Sequence, residues 1–113
     1  MSRILPPSIV PPAGMRSRRP VHPGHFLEHH YLRPLGITQT ETARRLGVSR
    51  RRVNELVLGK RAMSPDTAIR CAQAFGLPAS AWLTMQAEWD AWQTWQAMRA
   101  VRHPRLPAAP ARA

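Results

Sequence analysis

Acidic residues are scarce in this chain: six Asp and Glu stand against seventeen Lys and Arg, for a formal charge of +11 and an isoelectric point near 11.9. So little negative charge calls for a polyanionic partner, and nucleic acid and an anionic membrane surface both qualify. Cysteine is scarcer still. Cys71 stands alone, which excludes an internal disulfide and makes a reducing compartment the natural home. Nothing near it suggests a paired base or a ligand cluster, so it reads as a small core residue beside Ala68, Ala72 and Phe75. Long apolar runs are missing too. No stretch approaches a membrane span, and the apolar residues after Arg3 are broken by Pro6, Pro7, Pro11 and Pro12, which argues against a signal peptide. The expectation is a soluble, cytoplasmic protein with no membrane role. The cations cluster at Arg16 to Arg19, Arg44 to Arg52 and Lys60 to Arg61 instead of bordering one long apolar face. That pattern favours nucleic acid over lipid.

The chain has 113 residues and Pro-rich ends, leaving roughly 75 to 80 residues for one folded domain, small for most enzymes. Its centre is the run from Ile37 to Arg61, ITQTETARRLGVSRRRVNELVLGKR. Thr38 and Glu41 have the spacing of a capping box, with the hydroxyl accepting a first-turn N–H and the carboxylate returning to the cap's own N–H. A helix is therefore expected from Gln39, with Ala43 and Leu46 inward. Gly47 ends it where the chain turns sharply. Val48 fills the gap and Ser49 caps a second helix, whose inward stripe is Val53, Leu56 and Val57 and whose end is Gly59. The pair reads as a helix-turn-helix. At 100° per residue Arg51, Asn54, Glu55 and Leu58 lie opposite the stripe, with Arg50 and Arg52 on its flanks. Such a helix suits a major groove, where outward side chains meet base edges and flanking cations meet phosphates. A solvated amphipathic hairpin is the plainer alternative.

Residues 1–20, with two Pro-Pro pairs and then Arg16, Ser17, Arg18 and Arg19, read as a disordered basic arm. A first helix of about nine residues follows Val21-His22-Pro23-Gly24, with Phe26, Leu27 and Tyr31 inward, stopped by Pro34 and Gly36. It contains His25-Phe26-Leu27-Glu28-His29, the H-x-x-E-H pattern of inverted zinc peptidases. His25 and His29 would hold the metal, with Glu28 as base and His22 as a conceivable third ligand. Three fixed residues match often, and a fold this short leaves little room for a cleft. The chain is expected to have no catalytic residues, metal or cofactor, and not to be an enzyme.

After the helix-turn-helix, Lys60 and Arg61 form a basic loop able to clamp a DNA backbone. Ser64-Pro65-Asp66 opens another helix with a cap, a first-position proline and a favourably placed acid. Its buried side is expected to be Ala68, Ile69, Ala72 and Phe75, and it closes at Gly76 and Pro78. The last helix, from about Ala79 to Arg99, holds all four tryptophans. Trp82, Met85, Trp89, Trp92 and Gln96 alternate three and four apart, a heptad-like seam. Trp82 and Leu83 complete the core. Trp89, Trp92 and Trp95 are costly to leave in water, so they are expected to form a partner interface. The domain is thus placed at residues 21–99, with a disordered tail at 100–113.

The ordered run His22-Pro23-Gly24, Leu32-Arg33-Pro34-Leu35-Gly36, Thr38-Gln39, Ala43, Leu46-Gly47-Val48-Ser49, Val53-Asn54-Glu55-Leu56, Gly59-Lys60-Arg61, Ser64-Pro65-Asp66-Thr67-Ala68 and Trp82-Leu83 resembles the HigA-type antitoxins of the Cro and lambda-repressor-like superfamily. The resemblance covers roughly residues 21–92. It implies a compact all-α, lambda-repressor-like DNA-binding domain, which with the helices and ends read above gives five helices, a long C-terminal helix and disordered ends. It further implies a homodimer that binds a palindromic double-stranded operator, represses its own operon and neutralises a HigB-type toxin, an mRNA endonuclease. A stand-alone helix-turn-helix regulator without a toxin is the alternative. The superfamily pattern puts Gln39 beside phosphate and Ser49, Arg50, Arg51 and Asn54 toward bases. With the helical angles, base readers are expected at Ser49, Arg50, Arg51 and Asn54, and phosphate contacts at Gln39, Arg52, Lys60 and Arg61. The chain departs from the family in carrying His25 where an acid is usual, in Glu28-His29-His30, and in its long basic arm and Pro-Ala-Arg tail.

Overall fold

The computed structural model describes residues 18–102. The expected N-terminal arm lies outside them up to residue 17; of the tail expected at 100–113, residues 100–102 instead continue the last helix, and the rest lies outside the described residues. The described residues form five helical runs and contain no strand. The first run joins α1, Pro23–Leu27, to a π-helical turn, Glu28–Leu32, and to α2, Arg33–Leu35. Then come α3, Gln39–Leu46; α4, Arg50–Val57; α5, Pro65–Phe75; and α6, Ala79–Arg102. This is the all-α, five-helix architecture with a long last helix that the sequence implied.

The start of α1 depends on the His22-Pro23-Gly24 tripeptide. His22 Nδ1 accepts the Gly24 N–H at 2.9 Å, Pro23 occupies a first-turn position where no N–H is required, and His22 is 2% exposed. Gly24 lies where α1 crosses the end of α4: a Cβ there would come within 1.6 Å of the Leu56 carbonyl oxygen. Only glycine permits that approach. The run does not stop at Pro34 as the sequence suggested. Arg33 N–H donates to the Glu28 carbonyl, five residues back. This wider turn makes room for a pyrrolidine ring that would otherwise press on the carbonyl four residues before it. The helix then passes through Pro34 and ends at Gly36, with φ 67°.

The chain divides into two compact units, one spanning Val21–Ala87 and the other including α6 from Glu88. In the first, Leu27, Val53, Leu56, Ala68, Cys71 and Trp82 are each no more than 1% exposed and anchor one core. The ring of Trp82 meets Phe26 edge-on with centroids 5.7 Å apart and lies 5.9 Å from Tyr31. Cys71 is the buried core residue expected, and burial pushes its thiol up to about 12. Gln86, 7% exposed, accepts the Met63 N–H at 2.7 Å, a buried polar bond that ties α6 to the loop before α5. Ile69 departs from expectation and is 51% exposed. The inward side of α5 is Thr67, Ala68 and Cys71, and Ile69 lies roughly 100° further round the helix than Ala68.

In the second unit the Arg19 guanidinium lies over the Trp89 ring at 4.8 Å, and that of Arg99 over Trp95 at 5.0 Å. Trp95 is 7% exposed, whereas Trp89 and Trp92 are half-buried. The exposed side of this part of α6 carries Thr94, Ala97, Met98 and Val101. Trp95 is therefore covered by the chain itself, and of the three tryptophans expected at a partner surface only Trp89 and Trp92 present area to meet one.

Candidate nucleic-acid interface

The first helix of the expected pair begins as its sequence requires. Thr38 is extended and its Oγ1 accepts the Glu41 N–H at 3.0 Å. The returning half of the capping box is replaced. The Glu41 carboxylate instead takes the Nε groups of Arg44 and Arg45, each at 3.0 Å, because guanidinium groups one turn on offer charge that a backbone N–H lacks. These two arginines hold the Glu41 carboxyl down at about 2. Gly47, at φ 71°, ends α3, and Ser49 Oγ caps α4 by accepting the Arg52 N–H at 3.0 Å.

Packing of Val53, Leu56 and Val57 into the core fixes the rotation of α4. Arg50 and Arg51 are left exposed, with Arg52, Asn54 and Glu55 half-buried. Asn54 Nδ2 donates to Gln39 Oε1 at 3.1 Å, joining the two helices across fifteen residues of sequence. Gln39, expected at a phosphate, and Asn54, expected at a base, are thus one hydrogen-bonded pair.

Two acids organise the remaining cations. Glu55 Oε2 accepts Arg51 Nε at 3.0 Å, while Glu55 Oε1 accepts Arg61 Nε at 3.0 Å and Arg61 Nη2 at 2.7 Å. Arg61, and then Arg51, hold the Glu55 carboxyl below the usual carboxylate range. Asp66, at the start of α5, binds Arg70 Nε and Arg52 Nη1, each at 3.0 Å. Arg70 is the larger cause of the lowered Asp66 carboxyl, with Arg52 adding to it against desolvation. Arg70 Nη1 also reaches the Leu46 and Gly47 carbonyls, at 3.0 and 3.3 Å. This chain of contacts locks the turn between α3 and α4 to α5. Ser49, Arg50, Lys60 and Arg61 are all exposed.

The H-x-x-E-H residues do not come together as a metal site. His25 packs beside the Gly59 turn, its Nε2 3.3 Å from where a Gly59 Cβ would lie, while His29 is exposed and Glu28 faces Arg33 at 3.7 Å. No group of three His, Cys, Asp or Glu among the described residues is arranged to hold a metal. Nor is any helix among them long and apolar enough to cross a membrane. Sequence reasoning missed the contact of α1 with the end of α4, for which the glycine of His22-Pro23-Gly24 is the available signal.

Residues 30–82 match the helix-turn-helix family. Virulence-associated protein I of Dichelobacter nodosus is 40% identical over 79 residues, which is 70% of this chain and 73% of that protein. Antitoxin HigA-1 of Vibrio cholerae serotype O1 is 39% identical over 69 residues, 61% of this chain and 65% of its own length. Among solved structures, the Pseudomonas aeruginosa antitoxin HigA with the higBA promoter superposes with a TM-score of 0.70 at 33% identity, covering 80% of this chain and 100% of that one.

Proposed function

We propose that this chain, which belongs to the helix-turn-helix family and its Cro and lambda-repressor-like branch, is a sequence-specific DNA-binding antitoxin that represses its own operon and neutralises a HigB-type toxin. The observation that carries the DNA half is the face of α4. Arg50 and Arg51 stand exposed at the capped N-terminal end, where a recognition helix meets base edges. Ser49, Arg50, Arg51 and Asn54 are the base readers, and Gln39, Arg52, Lys60 and Arg61 the phosphate contacts. Two copies related by a two-fold axis would set their α4 helices roughly 34 Å apart and select a palindrome. Its setting is the cytoplasm. The likeness to an antitoxin with its promoter supports this reading, as does the similarity to antitoxin HigA-1.

Trp89 and Trp92 form the surface assigned to a protein partner, with Trp95 supporting them from within. Cloning the chain together with the gene beside it tests both halves. The expected result is a co-purifying toxin whose growth arrest is relieved, and a complex that retards a palindrome from the operon's own promoter. Retention of promoter binding with no capture of the neighbouring product would leave a stand-alone regulator, and loss of promoter binding would refute the repressor itself.

A further inference from the structure

The acid Glu55 lies on the outward side of α4, where an acid beside a polyanion is a liability unless it does something specific. Its own oxygens are occupied. Oε2 takes Arg51 Nε and Oε1 takes two nitrogens of Arg61, and the side chain is 26% exposed. It therefore has little capacity left to accept from a base. Arg51 is the reverse case. Its side chain is 85% exposed, and of its five N–H donors only the one on Nε is engaged by the described bonds. That engagement rules out the side-on fork, which needs Nε, and leaves the end-on fork of Nη1 and Nη2 turned to solvent.

Two parallel donors at that spacing match two adjacent acceptors. In the major groove only guanine offers them, as O6 and N7; adenine puts a donor beside its N7, and cytosine offers a donor. Arg61, rooted in the loop after α4, holds the far side of the same carboxylate and keeps it charged and aligned. The brace restricts the Arg51 rotamer before DNA arrives, so less freedom is lost on binding.

We propose that Glu55 is a positioning residue that braces Arg51 for end-on recognition of guanine, so that the operator carries a G·C pair facing Arg51 in each half-site. The inference rests on the DNA-binding reading above and deepens it. Glu55 contacts no base; it acts through Arg51, with Arg61 as its second anchor.

The test begins with selection of duplexes from a random library by the full-length protein. Affinities are then measured for the selected site and for the other three base pairs at the position that Arg51→Ala relaxes. The wild type should prefer guanine there by about tenfold to a hundredfold. Glu55→Gln should reduce that preference to about threefold or less while random-duplex affinity holds or rises, since a negative charge has left a DNA-facing surface. A merely structural role would weaken both together. Arg51→Lys keeps the charge at a highly exposed side chain but loses the fork, and it too should lose the guanine preference even if Glu55→Gln proves unstable. Full preference in Arg51→Lys or in a folded Glu55→Gln, or a selected site with another base at that position, would overturn the proposal alone. A library from which no sequence is enriched would overturn the DNA-binding reading beneath it.

Discussion

Replacing Gly24 with alanine tests the packing that supports α4. The added Cβ would lie 1.6 Å from the Leu56 carbonyl oxygen and 2.4 Å from its carbon, where ordinary contact begins at 3.4 Å. The two helices must therefore separate by up to 3.4 − 1.6 = 1.8 Å along that line. The obstacle is main chain in the last turn of α4, so no side-chain rotation relieves it. Overpacking of this kind costs typically about 1 to 3 kcal/mol. Separation would also disturb Leu27 and Leu56, at 0% and 1% exposure, adding lost contacts in a close-packed interior. Against this, alanine exceeds glycine in helix propensity by up to about 1 kcal/mol. The clash wins, and we expect a net loss of about 2 kcal/mol, which for a domain of this size lowers the melting temperature by roughly 8 to 16 °C. Urea unfolding followed by far-ultraviolet circular dichroism measures it. Gly36→Ala is the control: nothing lies within 4 Å of its Cβ but φ is +67°, so it should lose only about 1 to 2 kcal/mol, from backbone strain. A Gly24→Ala protein as stable as the parent would refute the close approach of α1 to α4.

Gln86→Leu leaves the Met63 N–H without its acceptor in a site where Met63 is 2% exposed and Gln86 7%. It should cost about 1 to 3 kcal/mol in urea unfolding despite the added apolar surface, and a change below about 0.5 kcal/mol would show the bond to be dispensable. Acid should also destabilise the fold in a defined window. Glu41, Glu55 and Asp66 all have carboxyls lowered by arginine partners, Glu41 to about 2. Groups with depressed folded values bind protons more readily when unfolded, so their stabilisation is complete above the unfolded value of about 4 and disappears as pH falls through the folded value. The melting temperature should fall between about pH 4 and 2, less steeply for Glu41→Gln and less steeply in high salt. A flat profile through that window would show that these ion pairs do not stabilise the fold.

Much of the helix-turn-helix was legible because its signals are local. Thr38, Gly47 and Ser49 each act on residues within one turn, and the spacing of Ala43, Leu46, Val53, Leu56 and Val57 fixes which faces turn inward. Where local signals competed, the reading slipped. Pro34 suggested a stop, but a widened turn before it let the helix continue to Leu35. Ile69 is apolar enough to suggest the core, yet Ala68 and Cys71 set the inward face and left it exposed. The Gln39 to Asn54 bond spans fifteen residues, and the Arg52 to Asp66 pair spans fourteen. Neither can be derived until the turn between α3 and α4 and the position of α5 are known.

The charge balance shows most clearly what the sequence withheld. A surplus of cations announces a polyanionic partner, but a count of charges treats every arginine alike. In the structure three of the six acids each hold two arginines: Glu41 holds Arg44 and Arg45, Glu55 holds Arg51 and Arg61, and Asp66 holds Arg52 and Arg70. Each triad keeps a net positive charge. Each also removes freedom from two long side chains that would otherwise lose it on binding. Exposed pairs of this kind contribute only modestly to stability, and beyond that they fix orientation. On the helix-turn-helix face and its following loop, Arg50 and Lys60 alone among the described arginines and lysines take no part in a triad. Their side chains keep their full freedom, whereas Arg51, held by Glu55, is confined to one geometry. The scarcity of acids is thus also a matter of placement: the few present decide which of the many cations are held in one orientation.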